Sequence, residues 1–156
     1  MISQRATPFR IILGALAVGA LLAQLVIVPQ VAAEYAGAYP EVAYLAPPYV
    51  TAIVIAIGGF EVALLASWQL LSAAVAGNVS TSRSKRWATV MTASLCFMSL
   101  IFAGIFVHAG SVANVGGPPM MFGLLVSLAL VPLAFSVRAK ALGFLAGNDI
   151  KEGGVA

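Results

Sequence analysis

The chain has 156 residues, 62% of them hydrophobic and only 8% charged, with a mean hydropathy of +1.04. Soluble domains carry roughly 25% charged residues, so a water-facing enzyme, a coiled coil, a disordered regulator and a nucleic-acid module are excluded. An integral membrane protein remains, and its net charge of +3 implies no nucleic-acid partner because the basic residues flank apolar runs.

In chain order, a polar opening ends at Arg10 and an uncharged run covers residues 11–33. At ~1.5 Å per residue this run crosses a hydrocarbon core about 30 Å thick. Arg5 and Arg10 in front of it, with small residues at Val31 and Ala33, also fit a cleavable signal peptide. The run exceeds the usual apolar core of about 7 to 15 residues, so a retained span is expected. Within it Ala15, Gly19 and Ala23 recur every four residues, a stripe that lets another backbone approach.

The second span is expected over residues 49–76, with Gly58 and Gly59 beside Glu61, its one charge. The third covers 87–108, where Thr89, Thr92, Cys96, Ser99 and Ala103 share a seam of alternating three- and four-residue spacing that is expected to face inward. Cys96 is the single cysteine, so no intrachain disulfide forms. The fourth span covers 119–140, opened by Pro118 and Pro119 and expected to kink at Pro132. Strands of an outer-membrane barrel alternate apolar and polar over about 10 residues, unlike these continuous runs. The predicted fold is all-α, one transmembrane domain over residues 1–156 built as an up-down-up-down four-helix bundle.

Orientation follows from the basic residues. Arg5 and Arg10 precede the first span, Arg83, Lys85 and Arg86 lie in the middle loop, and Arg138, Lys140 and Lys151 follow the fourth span. The other connections hold Glu34 and Glu41 and no Lys or Arg, so both termini are expected in the cytoplasm. Tyr35, Tyr39, Tyr44 and Tyr49 cluster around the first outer loop, and Trp68 and Trp87 lie toward the inner side, as interfacial aromatics do.

Glu61 is the sharpest candidate for function. An acid near mid-membrane is costly and usually faces the bundle interior or a polar cavity, and no Lys or Arg lies within any span to pair with it. Matching depths across antiparallel helices sets Ser99 level with Glu61, Cys96 and Thr92 deeper, and Gln24 within about one turn. Glu61 is then either a proton- or cation-exchanging site or a protonated acid that ties helices together. The second is favoured, because one acid with no other ionisable group in the spans makes a poor relay.

His108 with Glu34 and Glu41 matches no metal-ligand spacing, so an interfacial histidine is expected rather than a metal site. The loop from Ser80 to Arg86 is basic and hydroxyl-rich, suited to anionic headgroups, but a role in setting topology accounts for it. Gly116-Gly117-Pro118 and Asn148-Asp149 read as turn chemistry. No phosphate loop, nucleophile-base pair or zinc set is present, so no catalytic residue, metal or cofactor is expected.

Several short stretches carry a resemblance: Pro40-Glu41-Val42-Ala43-Tyr44-Leu45 with Pro48-Tyr49, Glu61-Val62-Ala63-Leu64, Trp68-Gln69-Leu70-Leu71, Gly77-Asn78-Val79 and Arg86-Trp87. With these the chain resembles the bacterial membrane proteins grouped as domain of unknown function 2975, in their actinobacterial type. Two positions depart from that pattern, Ser80-Thr81 where a Phe-Ser pair is common and Gln69 where an Arg often stands. The resemblance implies four spans in a bacterial plasma membrane and supplies no activity. In some members it also suggests a neighbouring helix-turn-helix regulator. The expected function is non-enzymatic, as an accessory subunit or membrane-embedded regulator working through a membrane-protein partner or a homo-oligomer. The competing expectation is a minimal proton- or cation-linked transporter or channel using Glu61.

Overall fold

A computed structural model describes residues 2–76, 82–115 and 117–152, with side chains over 7–76, 82–115 and 117–143. Gly77 to Thr81 and Gly116 lie outside the described residues, as do the side chains of Arg5, Asn148, Asp149 and Lys151. The described residues are helical apart from short connections, with no strand, and four helical stretches are long and apolar enough to span a membrane: Thr7–Ala38, Pro40–Val75, Ser82–Val112 and Pro118–Gly143.

The first span runs beyond the expected 11–33 at both ends, as α1 (Ile2–Leu22), one π turn (Ala23–Ile27) and α2 (Val28–Ala38). Pro29 explains the π turn. It has no N-H to donate and would break a regular helix, and the wider turn just before it, where the Val28 N-H reaches back five residues to the Ala23 carbonyl, lets the axis continue.

The segment expected as a loop between the first two spans is mostly helical. Tyr39, at φ −131° and ψ 75°, ends α2, a 3-10 stretch follows over Pro40–Leu45, and α3 covers Ala46–Val75. Pro47 and Pro48 stand in the first turn of α3, where helical N-H groups have no partner in any case. Helix α4 (Ser82–Val107) begins five residues before Trp87 and continues into a second π turn over His108–Val112. It stops at Asn114, whose φ of 51° is left-handed and which is followed by the Val115 N-H turning back to the Ala109 carbonyl at 3.0 Å. Helix α5 (Pro118–Glu152) opens on its proline pair and contains Pro132 without ending there.

The spans pack in chain order: α1 and α2 on α3, α3 on α4, and α4 on α5. Among the described residues α1 has no extended contact with α4 or α5, so the bundle is open along its first span. The buried core lies between α3 and α4, where Ala63, Ala66, Leu70, Ala88 and Met91 cluster, and Leu142 of α5 packs on it.

Size sorts the residues. Apart from Leu45, Leu64, Leu70 and Met91, the buried side chains among the described residues are small, including Ala56, Ala66, Ala103, Ser84, Ser99 and Ser127, and most large apolar ones face out. Adjacent positions show the division sharply, since Ala66 is fully buried and Leu65 keeps 65% of its surface exposed. Helices in lipid associate by close backbone approach rather than by hiding apolar area, and this inversion of the soluble pattern is what such packing produces.

Candidate functional site

Contact between α1 and α3 is set at the end of the bundle that carries the basic residues, where the Arg10 guanidinium lies 5.8 Å from the centroid of the Trp68 ring. Seven residues onward along α1 is Ala17, and seven residues back along antiparallel α3 is Glu61. Two helical turns therefore bring these positions level. Both line a groove of about 250 Å³ walled by Leu13, Gly14 and Leu21 of α1 and by Leu64, Leu65 and Trp68 of α3.

Glu61 is half-buried in this groove, and its Oε1 is shielded from solvent with no hydrogen-bond partner among the described residues. Gln24 belongs to the same stripe of α1, a further seven residues past Ala17, so it stands about 10 Å beyond Glu61 rather than within one turn. It sits in the π turn, and its Oε1 is likewise buried and unpartnered among the described residues.

The remaining polar candidates point elsewhere. The Ser99 hydroxyl donates to the Ser127 carbonyl of α5, and Ser127 in turn donates to the Gly123 carbonyl at 2.8 Å. Thr92 is buried and donates to its own helix at Ala88, 2.9 Å away. Cys96 is a half-buried free thiol. Depth matching places these residues near Glu61 along the membrane normal but not around it, since Glu61 faces α1 and Ser99 faces α5. Ser127 was not singled out in the sequence, where it is one hydroxyl in an apolar helix.

The glycines and alanines also separate by face. Ala15 and Gly19 are exposed, with open space where a Gly19 side chain would be, and Ala23 is half-buried. The face of α1 that meets α3 is carried instead by Arg10, Leu13, Gly14 and Ala17, so the predicted small-residue stripe does not pack within the chain. Gly58 has open space beside it, whereas a methyl group at Gly59 would meet the Phe97 ring at 3.2 Å and the Ser94 carbonyl oxygen at 3.4 Å.

At the basic end Arg83, Lys85, Arg86 and Lys140 are exposed. Arg138 is half-buried, and its guanidinium donates to the Thr89 hydroxyl at 3.4 Å. At the opposite, acidic end the Tyr49 hydroxyl and His108 Nδ1 are 2.9 Å apart, with their rings edge to face at 5.8 Å between centroids. This ties the start of α3 to the second π turn. Among the described residues no three of His, Cys, Asp and Glu gather as a metal site.

The family described as Protein of unknown function (DUF2975) matches residues 30–151. The chain belongs to this family. The DUF2975 match contains Glu61, the Tyr49–His108 pair and the Ser99–Ser127 link, whereas Arg10, Ala17 and Gln24 precede it. No curated protein and no solved structure matches the chain.

Proposed function

We propose that this chain is a multi-pass protein of the bacterial plasma membrane, with both termini in the cytoplasm, that works without catalysis through a protein partner in the same bilayer. The partner is a larger complex that the chain serves as accessory subunit or regulator, or further copies of itself. The observation that carries this reading is the first span, which among the described residues has extended contact only with the second span and turns Ala15 and Gly19 outward. Those residues offer a second backbone the close approach that drives association in lipid.

The test is to solubilise the native membrane in mild detergent and weigh what copurifies, with the wild type and with Gly19→Leu. A stoichiometric companion that Gly19→Leu releases supports the reading. Recovery of the lone chain in both cases overturns it. For orientation, a reporter active only outside the cytoplasm is expected to stay silent when fused to the C-terminus.

A second reading, a minimal proton- or cation-linked transporter, draws on the unpartnered Glu61 oxygen in its groove. In liposomes it requires a pH-driven flux that Glu61→Gln abolishes.

A further inference from the structure

A cavity of about 860 Å³ lies at the acidic end, between α2, the 3-10 stretch, α3 and the second π turn. That volume falls within the ~300–1,000 Å³ typical of small-molecule sites. Tyr35, Tyr39, Tyr49 and Glu41 contribute to its wall near the end of the bundle, and Ile27 and Ile53 line it deeper. From Tyr39 to Ile27 the lining extends along α2 for about 18 Å. The cavity is therefore apolar along most of its lining, with the tyrosines and Glu41 gathered at one end, an arrangement that suits a ligand with a large apolar body.

Both π turns border this space, through Ile27 at the close of the first and Ala109 within the second. A π turn carries an extra residue, displaces the helix face and recurs at functional sites. The two π turns thus converge on one cavity.

Charge selects the ligand. None of the eight Lys and Arg residues falls between positions 11 and 82 or between 87 and 137, so the acidic end has none. Its charged residues are Glu34 and Glu41, and of these Glu41 lines the cavity. Its one histidine, His108, is engaged with Tyr49. The Tyr35 and Tyr39 rings stack at 6.0 Å, and both tyrosines line the same cavity as Glu41. Aromatic faces next to an acid bind quaternary and other lipophilic cations, whereas an anionic headgroup finds no counter-charge here.

We infer that the cavity is a binding site for a lipophilic cation, with the charge held between Glu41 and the Tyr35–Tyr39 faces and the apolar body directed toward Ile27 and Ile53. The site lies on a different part of the chain from the outward face of α1 and does not depend on a protein partner.

The test is equilibrium binding of radiolabelled tetraphenylphosphonium to the full chain in zwitterionic nanodiscs, after subtracting empty nanodiscs. Glu41→Gln and Tyr39→Leu are each expected to weaken binding about fivefold, the scale of one surface cation–aromatic contact. Tyr39→Phe keeps the aromatic face and is expected to stay within about twofold of wild type. Glu34→Gln removes a nearby charge that does not line the cavity and is expected to leave binding within the same limit. No binding above empty nanodiscs overturns the inference. Equal losses from Glu34→Gln and Glu41→Gln would reveal surface attraction only, and undiminished binding by both Glu41→Gln and Tyr39→Leu would reveal nonspecific partition like that of a lipid tail. Either result also overturns it.

Discussion

The Arg10 guanidinium sits over the Trp68 ring at 5.8 Å, joining the first span to the second at the basic end of the bundle. Among the described residues α1 has extended contact with no span other than the second, so this cation–aromatic pair is a principal fixture of its position. It also sets which residues meet further along, since counting two turns from each partner brings Ala17 opposite Glu61.

Arg10→Gln and Trp68→Leu are accordingly expected to be non-additive. A double-mutant cycle in mixed-micelle unfolding is expected to give a coupling of about 0.5–2 kcal/mol. Additive effects would mean the pair is adjacent but not energetically linked.

Glu61 makes no partnered bond through Oε1 within the described chain. Glu61→Gln is therefore expected to leave the stability of the isolated protein within about 0.5 kcal/mol. Glu61→Leu is expected to raise it by about 1 kcal/mol, by removing a polar group from an apolar groove. If Glu61→Leu destabilises the lone chain instead, the carboxyl is a structural tie between helices.

The glycines offer a matched pair. Gly58 has open space where a side chain would grow, so Gly58→Ala is expected to stabilise α3 by up to ~1 kcal/mol through helix propensity. A methyl group at Gly123 would fall 2.5 Å from the Phe106 ring, so Gly123→Ala is expected to cost about 1–3 kcal/mol as the ring is displaced. Thermal unfolding in detergent, followed by size-exclusion profile, distinguishes the two.

Tyr49→Phe removes a hydroxyl that lies 2.9 Å from His108 Nδ1 and leaves the edge-to-face ring contact possible. A loss of about 0.5–1.5 kcal/mol is expected. The same substitution on a His108→Leu background is expected to have almost no effect, and an undiminished loss there would assign the Tyr49 hydroxyl a different partner.

The four spans were legible because a 30 Å apolar slab demands long uncharged runs, and Glu61 stood out because nothing else charged interrupts one. The polar seam of α4 was partly legible, since Thr92, Ser99 and Ala103 are buried and Thr89 is exposed. What each residue faces was not legible. Helix rotation depends on which neighbour the helix meets, so Ala15 and Gly19 turned outward while Gly14 and Ala17 met α3. Hydropathy is equally blind to the π turns, although Pro29 within an apolar run was a signal that the first helix must deviate before it.

The chain-order packing has a consequence in time. Because α3, α4 and α5 supply the central contacts and, among the described residues, α1 has extended contact with no span but the second, the earliest of these four spans to leave the ribosome is the one with the least to hold until the next arrives. It waits in the bilayer as an independent helix, with its Gln24 and its small outward residues available to whatever is already there. Of these four spans, a partner encountered during insertion therefore meets the first one before any of the others can cover it.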